Sequence, residues 1–165
     1  MKWIIIIVVL LILFVSIIYL MGYLMPVKHQ SFVESHLPIA PEKLWKILTT
    51  PDEYKNWRRG IKELKLIDAN HWSELNSHGD TINYRADWVE LNKKLLTIIT
   101  NNNLPYGGQW EFQIQNTNAG CNLRITENGE VYNPIFRFMS KYVFGHDATL
   151  KAYMADLQAK VKSTR

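Results

Sequence analysis

A chain of 165 residues with 19 basic and 15 acidic side chains, net charge +4, has room for one folded domain and a small extra element. Its basic residues are scattered, with no Lys/Arg stripe and no nucleic-acid motif, which sets nucleic acid aside as a partner. Its single cysteine, Cys121, excludes an intramolecular disulfide and a Cys-rich metal site.

The extra element comes first. Residues 3–25 hold no charge. As a helix rising about 1.5 Å per residue they reach roughly 34 Å, enough for a hydrocarbon core of about 30 Å. Trp3 stands at one end and Tyr19 and Tyr23 at the other, where amphipathic rings favour the membrane interface. A cleaved signal has an apolar core of about 7–15 residues and a small-residue cleavage site. This run is longer, and "YLMGYLMPVK" contains no Ala-x-Ala pattern. The reading is an uncleaved, single-pass anchor over residues 1–26 and a soluble domain over 27–165. Lys2 and the α-amino group on one side outweigh Lys28 on the other, which weakly favours a domain outside the cytoplasm.

Residues 27–39 mix polar and apolar side chains and predict a first strand. Pro41 opens a helix with Leu44, Trp45, Ile47 and Leu48 at helical spacing. Thr50-Pro51-Asp52-Glu53 reads as a capping box, with Thr50 as the cap of a second short helix over 51–57. Six strands follow, at 61–67, 71–76, 80–91, 94–100, 109–116 and 121–127, parted by short turn signals that favour antiparallel neighbours. Ile82, Tyr84, Ala86 and Trp88 share one face of their strand, as do Trp110, Phe112 and Ile114 of theirs. Residues 134–162 predict one long helix. Asn133 caps it, and its apolar stripe is Phe138, Tyr142, Leu150, Tyr153, Met154, Leu157 and Val161, with Gly145 as a point of bending.

That order, together with "LPIAPEKLWKILTTPDEYKNWRRGIKEL", "GGQWEF", "LRITENGEV" and "NPIFRFMSKYVFG", resembles the SRPBCC superfamily. Its members include START lipid-transfer domains, birch-pollen-allergen-like proteins and polyketide cyclase/dehydrase-like proteins. The resemblance covers about 28–162. It implies an α+β helix-grip fold, a curved antiparallel sheet wrapped around a long C-terminal helix with an apolar cavity between them. It does not choose among lipid carriers, sensors and enzymes.

Glu127 continues the inward face of Cys121, Leu123 and Ile125 by period two. An acid buried there has its pKa raised and can exchange a proton or hold a ligand's polar head. Alternatively it lies at the rim, paired with Arg137 or capping the last helix. Asn128-Gly129 predicts a bulge, which would bring Glu130 to the same side. The five histidines, His29, His36, His71, His78 and His146, show no metal-ligand spacing, so no metal and no cofactor is expected. Cys121 reads as a core residue. Arg58 and Arg59 read as a solvated helix end or as contacts for a ligand's head group. Trp57, Tyr84, Trp88, Trp110, Phe112, Phe138 and Tyr142, with Glu127, are the candidate ligand-binding set, since such pockets are apolar and aromatic with few polar groups. Gly107-Gly108 is either a mobile loop at the cavity mouth or a plain turn.

The function these readings favour is membrane-anchored binding or transport of a hydrophobic or amphipathic, lipid-like molecule. Two rivals stand beside it: a cyclase/dehydratase-like enzyme using Glu127 as acid or base, and a membrane-tethered protein-interaction scaffold.

Overall fold

An unbroken apolar run coils because each backbone group finds its partner within the helix. In the computed structural model, which describes residues 1–164, that run forms α1 (Lys2–Leu24). The helix is long and apolar enough to cross a bilayer, and Gly22 is its only buried residue.

Past Pro26 the alternation takes over. β1 (Lys28–Leu37) leads to α2 (Pro41–Leu48) and a 3₁₀ helix (Pro51–Asn56). Then come β2 (Ile61–Leu66), β3 (His71–Asn76), β4 (Thr81–Glu90), β5 (Lys94–Ile99), β6 (Tyr106–Thr117) and β7 (Gly120–Val131). The chain closes with α3 (Pro134–Met139), a π turn (Ser140–Phe144) and α4 (Ala148–Ser163). The seven strands form one antiparallel sheet in the order β1-β7-β6-β5-β4-β3-β2, so β1 pairs with the last strand while the rest meander. α4 lies across the inner face and buries Leu150, Tyr153, Met154, Leu157 and Val161. They meet Leu95, Phe112, Leu123 and Ile125 from the strands and Leu44, Trp45 and Leu48 from α2. Each fully buried apolar side chain is worth about 1.5–3 kcal/mol, and this shared core ties helix to sheet. The architecture is the helix-grip fold.

Four local expectations change. The last helix is broken: Gly145 takes a left-handed φ of 81°, after a π turn that leaves Tyr142, Val143 and Phe144 exposed. Thr50 does not cap the second helix. Its hydroxyl donates back to the Lys46 carbonyl (2.6 Å) and finishes α2 instead. Asn128-Gly129 forms no bulge; β7 runs on to Val131, in register with both neighbours. Gly107-Gly108 is no loop, since both residues lie within β6 opposite Glu130 and Gly129. Asn133 does cap α3, its side chain accepting from the Ile135 and Phe136 amides.

Candidate functional site

Strict alternation along β7 sends Cys121, Leu123 and Ile125 into the core and leaves Glu127 next on the same face. Its cross-strand neighbours are Ser31 of β1 and Trp110 of β6. Two residues on, Gly129 faces His29. A side chain at Gly129 would collide with that imidazole, because a Cβ there would lie 2.4 Å from His29 Cε1. The glycine that reads as a turn signal is in fact the space into which His29 folds. His29 Nε2 then lies 3.9 Å from Glu127 Oε1.

The break in the last helix supplies the third group. Just after Gly145, His146 stacks on His29, with ring centroids 4.2 Å apart and planes 20° from parallel. The Ser31 hydroxyl donates to the His146 carbonyl (3.2 Å) and fixes that turn against β1. β1, β6, β7 and the turn before α4 thus bring one carboxyl, two imidazoles and one indole together.

Burial pushes the Glu127 carboxyl up to about 7, against a hydrogen bond from the Trp110 side chain that works the other way. Burial also lowers both histidines below their ordinary range; each ring's charge is further opposed, His29 by His146 and His146 by Lys141. Near neutral pH the imidazoles are neutral and the carboxyl stands close to its midpoint. Glu127 Oε2 and His146 Nδ1 are buried without a hydrogen-bond partner in the protein. Such orphaned atoms are uncommon in folded proteins, and each costs roughly 1–3 kcal/mol unless something satisfies it.

A second polar group on the inner face is fully satisfied. Arg58 Nη1 donates to Glu74 Oε1 (2.6 Å), and Trp72 Nε1 donates to the same oxygen (2.8 Å). The guanidinium lies over the rings of Tyr54 and Tyr153, 5.2 Å from each centroid. Arg58 is therefore neither a solvated helix end nor free for a ligand. Arg59 is also engaged, with its Nε donating to Asp156 Oδ1 of α4 (2.6 Å). Unmet polar capacity also occurs singly at Trp57 Nε1, Thr117 Oγ1 and Arg137 Nε, but the Glu127 cluster brings two such atoms, one on a carboxyl and one on an imidazole, into one group.

The aromatic set divides. Trp57, Trp110 and Phe112 each pack against the Tyr153 ring, and Tyr84 stacks on Trp72. Trp88 lies out at the β4 irregularity and is 52% exposed. Phe138 and Tyr142 contact each other on the α3–π segment, away from that group, because the helix break turns them off the core face. Glu130 has the opposite parity to Glu127 and points outward, bonded to the Tyr132 hydroxyl and near Lys28. No paired carboxylate forms. Arg137 does not meet Glu127; it turns to the carbonyls of Met25 and Tyr132. Among the described residues no cluster of His, Cys, Asp or Glu is arranged to hold a metal ion.

Tyr153 packs between helix and sheet against Trp57, Trp110 and Phe112, and two open grooves border the sheet. One, of about 710 Å³, is bordered by Lys28, His29, Gln30, Gln109, Gly129 and Glu130, and so reaches one member of the cluster. The other, of about 380 Å³, runs along Glu34, His36, Gln113 and Arg124.

Sequence reasoning missed Glu74, His29 and His146 as neighbours of anything. Trp72-x-Glu74 carried a parity signal, since both share the inward face of β3. His29 carried one too, two residues before Ser31 on β1. Nothing local announces His146, whose place depends on the break at Gly145.

No family model and no curated protein matches the sequence. Solved structures do match the fold. A START superfamily protein from Mycobacterium smegmatis superposes with a TM-score of 0.66 at 14% identity, covering 84% of this chain and 99% of that one. A conserved protein from Geobacillus kaustophilus gives 0.67 at 15%, covering 83% and 96%. A norcoclaurine synthase from Thalictrum, bound to a transition-state analogue, gives 0.66 at 10%, covering 86% and 98%. The likeness spans nearly all of the part after α1 and concerns the fold.

Proposed function

We propose that the chain is a membrane-anchored helix-grip domain that holds a hydrophobic or amphipathic, lipid-like small molecule, with the Glu127–His29–His146 cluster receiving its polar head. The observation that carries this reading is the pair of buried, unpartnered polar atoms, Glu127 Oε2 and His146 Nδ1, next to an apolar aromatic wall. A half-protonated carboxyl beside a neutral imidazole can both donate and accept, which suits a hydroxyl, carbonyl or carboxyl head. The general ligand-binding habit of START-like structures adds support. Because Tyr153 packs between helix and sheet, the apolar part of the ligand enters by displacing the π turn and the start of α4, whose joint is Gly145.

The test is retention. Full-length protein is stripped of lipid in detergent, exposed to a total membrane-lipid extract and re-isolated, and the bound molecule is identified in the organic extract by mass spectrometry. The wild type retains a defined molecule and a Glu127→Ala/His146→Ala double variant loses it. Equal retention by both proteins overturns the assignment of the site.

One observation favours a second reading. A carboxyl near 7 with imidazoles beside it suits proton transfer at neutral pH. On that reading Glu127 is the acid or base of an enzyme on this fold. Full turnover by Glu127→Gln, with any substrate found, rules it out.

A further inference from the structure

We infer that the α3–π segment, residues 134–144, is seated in the headgroup and upper acyl region of the same bilayer leaflet in which α1 ends. This rests on the reading of α1 as the anchor. The observation behind it is contact. α3 packs against the last turns of α1, so closely at Gly22 that any Cβ there would fall 1.8 Å from the Pro134 carbonyl oxygen. Ile18, partly covered, and buried Gly22 mark the covered stretch of α1. From Ile18 to Met25 an α-helix rises roughly 10 Å, close to the depth of about 5–10 Å at which interfacial helices lie. If residues 3–25 span the hydrocarbon, a segment beside residues 18–25 is already within the boundary layer.

The chemistry of the segment fits that place. Phe136, Tyr142, Val143 and Phe144 are all about half exposed or more, with Phe144 at 65%. No acidic residue occurs between Val131 and His146. Lys141 is the one exposed cation within the segment, and Lys28 stands exposed just past the end of α1, both suited to phosphate head groups. The remaining charge, Arg137, is buried rather than offered to lipid. Its Nη1 donates to the Met25 carbonyl (2.7 Å) and its Nη2 to the Tyr132 carbonyl (3.2 Å), so it neutralises the carbonyl-rich end of α1. Seated this way, the segment holds His146, and with it the stacked His29 ring beside Glu127, at the membrane surface.

The test places single spin labels on the full chain in nanodiscs of phosphatidylcholine and phosphatidylglycerol. Label positions are Val143→Cys and Phe144→Cys, with Ile12→Cys on α1 and Lys65→Cys on β2 as references; native Cys121 is buried and stays unlabelled. All four positions are exposed, so folding is retained. The expected result is that labels at 143 and 144 lose accessibility to an aqueous nickel relaxant and gain it to oxygen, as at 12, while 65 does the reverse. Aqueous behaviour at 143 and 144 with lipid behaviour at 12 overturns the seating alone. Aqueous behaviour at 12 overturns the seating together with the anchor, and so is told apart. Dipolar broadening at 144 that grows with copies per disc makes a second chain the occupant, and also overturns it.

Discussion

Trp110 of β6 and Glu127 of β7 stand directly opposite one another on the inner face of the sheet, joined by a hydrogen bond from the indole to the carboxyl. The bond favours the ionised acid and burial favours the neutral one. Burial wins, and the outcome is a carboxyl poised close to neutral pH.

The first prediction concerns that balance. The folded chain holds the Glu127 proton more tightly than the unfolded chain, about 7 against 4.5. Stability from the protonated form is complete below pH 4.5 and is lost as pH rises through 7, a total of about 3 kcal/mol by linkage. Glu127→Gln flattens the stability profile across that window and exceeds the wild type above it. Urea unfolding at a series of pH values measures both.

The histidines slope the other way. Both are lowered in the folded state, so the stability contributed by their neutral rings is present above pH 6.5 and is lost as pH falls below it. His146→Phe keeps a ring on His29 and removes one titrating group. Its acid-side loss is smaller than that of the wild type in the same titration.

Gly129→Ala places a methyl group within the His29 ring. The cost is about 1–3 kcal/mol, as for overpacking in general. Adding His29→Ala recovers most of it, and a double-mutant cycle by thermal unfolding shows the coupling. Independent, additive losses would mean that the ring is not the obstacle.

The Arg58–Glu74 pair makes a contrasting test. Glu74 is almost wholly buried. Glu74→Ala leaves a guanidinium among Tyr54, Tyr84 and Tyr153 and costs about 3–5 kcal/mol. It leaves binding at the Glu127 cluster intact in protein that still folds, as measured by the retention assay.

Gly22→Leu separates α1 from α3, since its side chain needs the space of the Pro134 carbonyl. The midpoint of thermal unfolding in detergent changes by little, because the sheet and α4 do not depend on that contact. Trypsin cleavage after Lys28 speeds up. Unchanged cleavage would mean that α3 does not brace α1.

The strands were legible because their period-two alternation is local, and that parity placed Glu127 inward correctly. The limits show where tertiary context decides. Asn128-Gly129 has turn chemistry, yet β1 and β6 pair on both sides of it and hold it extended. Phe138 and Tyr142 continue the stripe of α4 on paper, but the helical phase is lost in the π turn and at Gly145. A pairing of Glu127 with Arg137, one alternative the sequence offers, does not form, because the end of α1, over a hundred positions away, offers Arg137 carbonyls. The pairing of His29 with His146 joins opposite ends of the domain, and no spacing rule anticipates it.

Native mass spectrometry of the full-length protein, extracted gently from its own membrane, tests the proposed function most directly. The predicted result is a species heavier than the bare chain by one defined small molecule, released on activation and absent from Glu127→Ala/His146→Ala. A bare chain alone, in protein that remains folded, would contradict it.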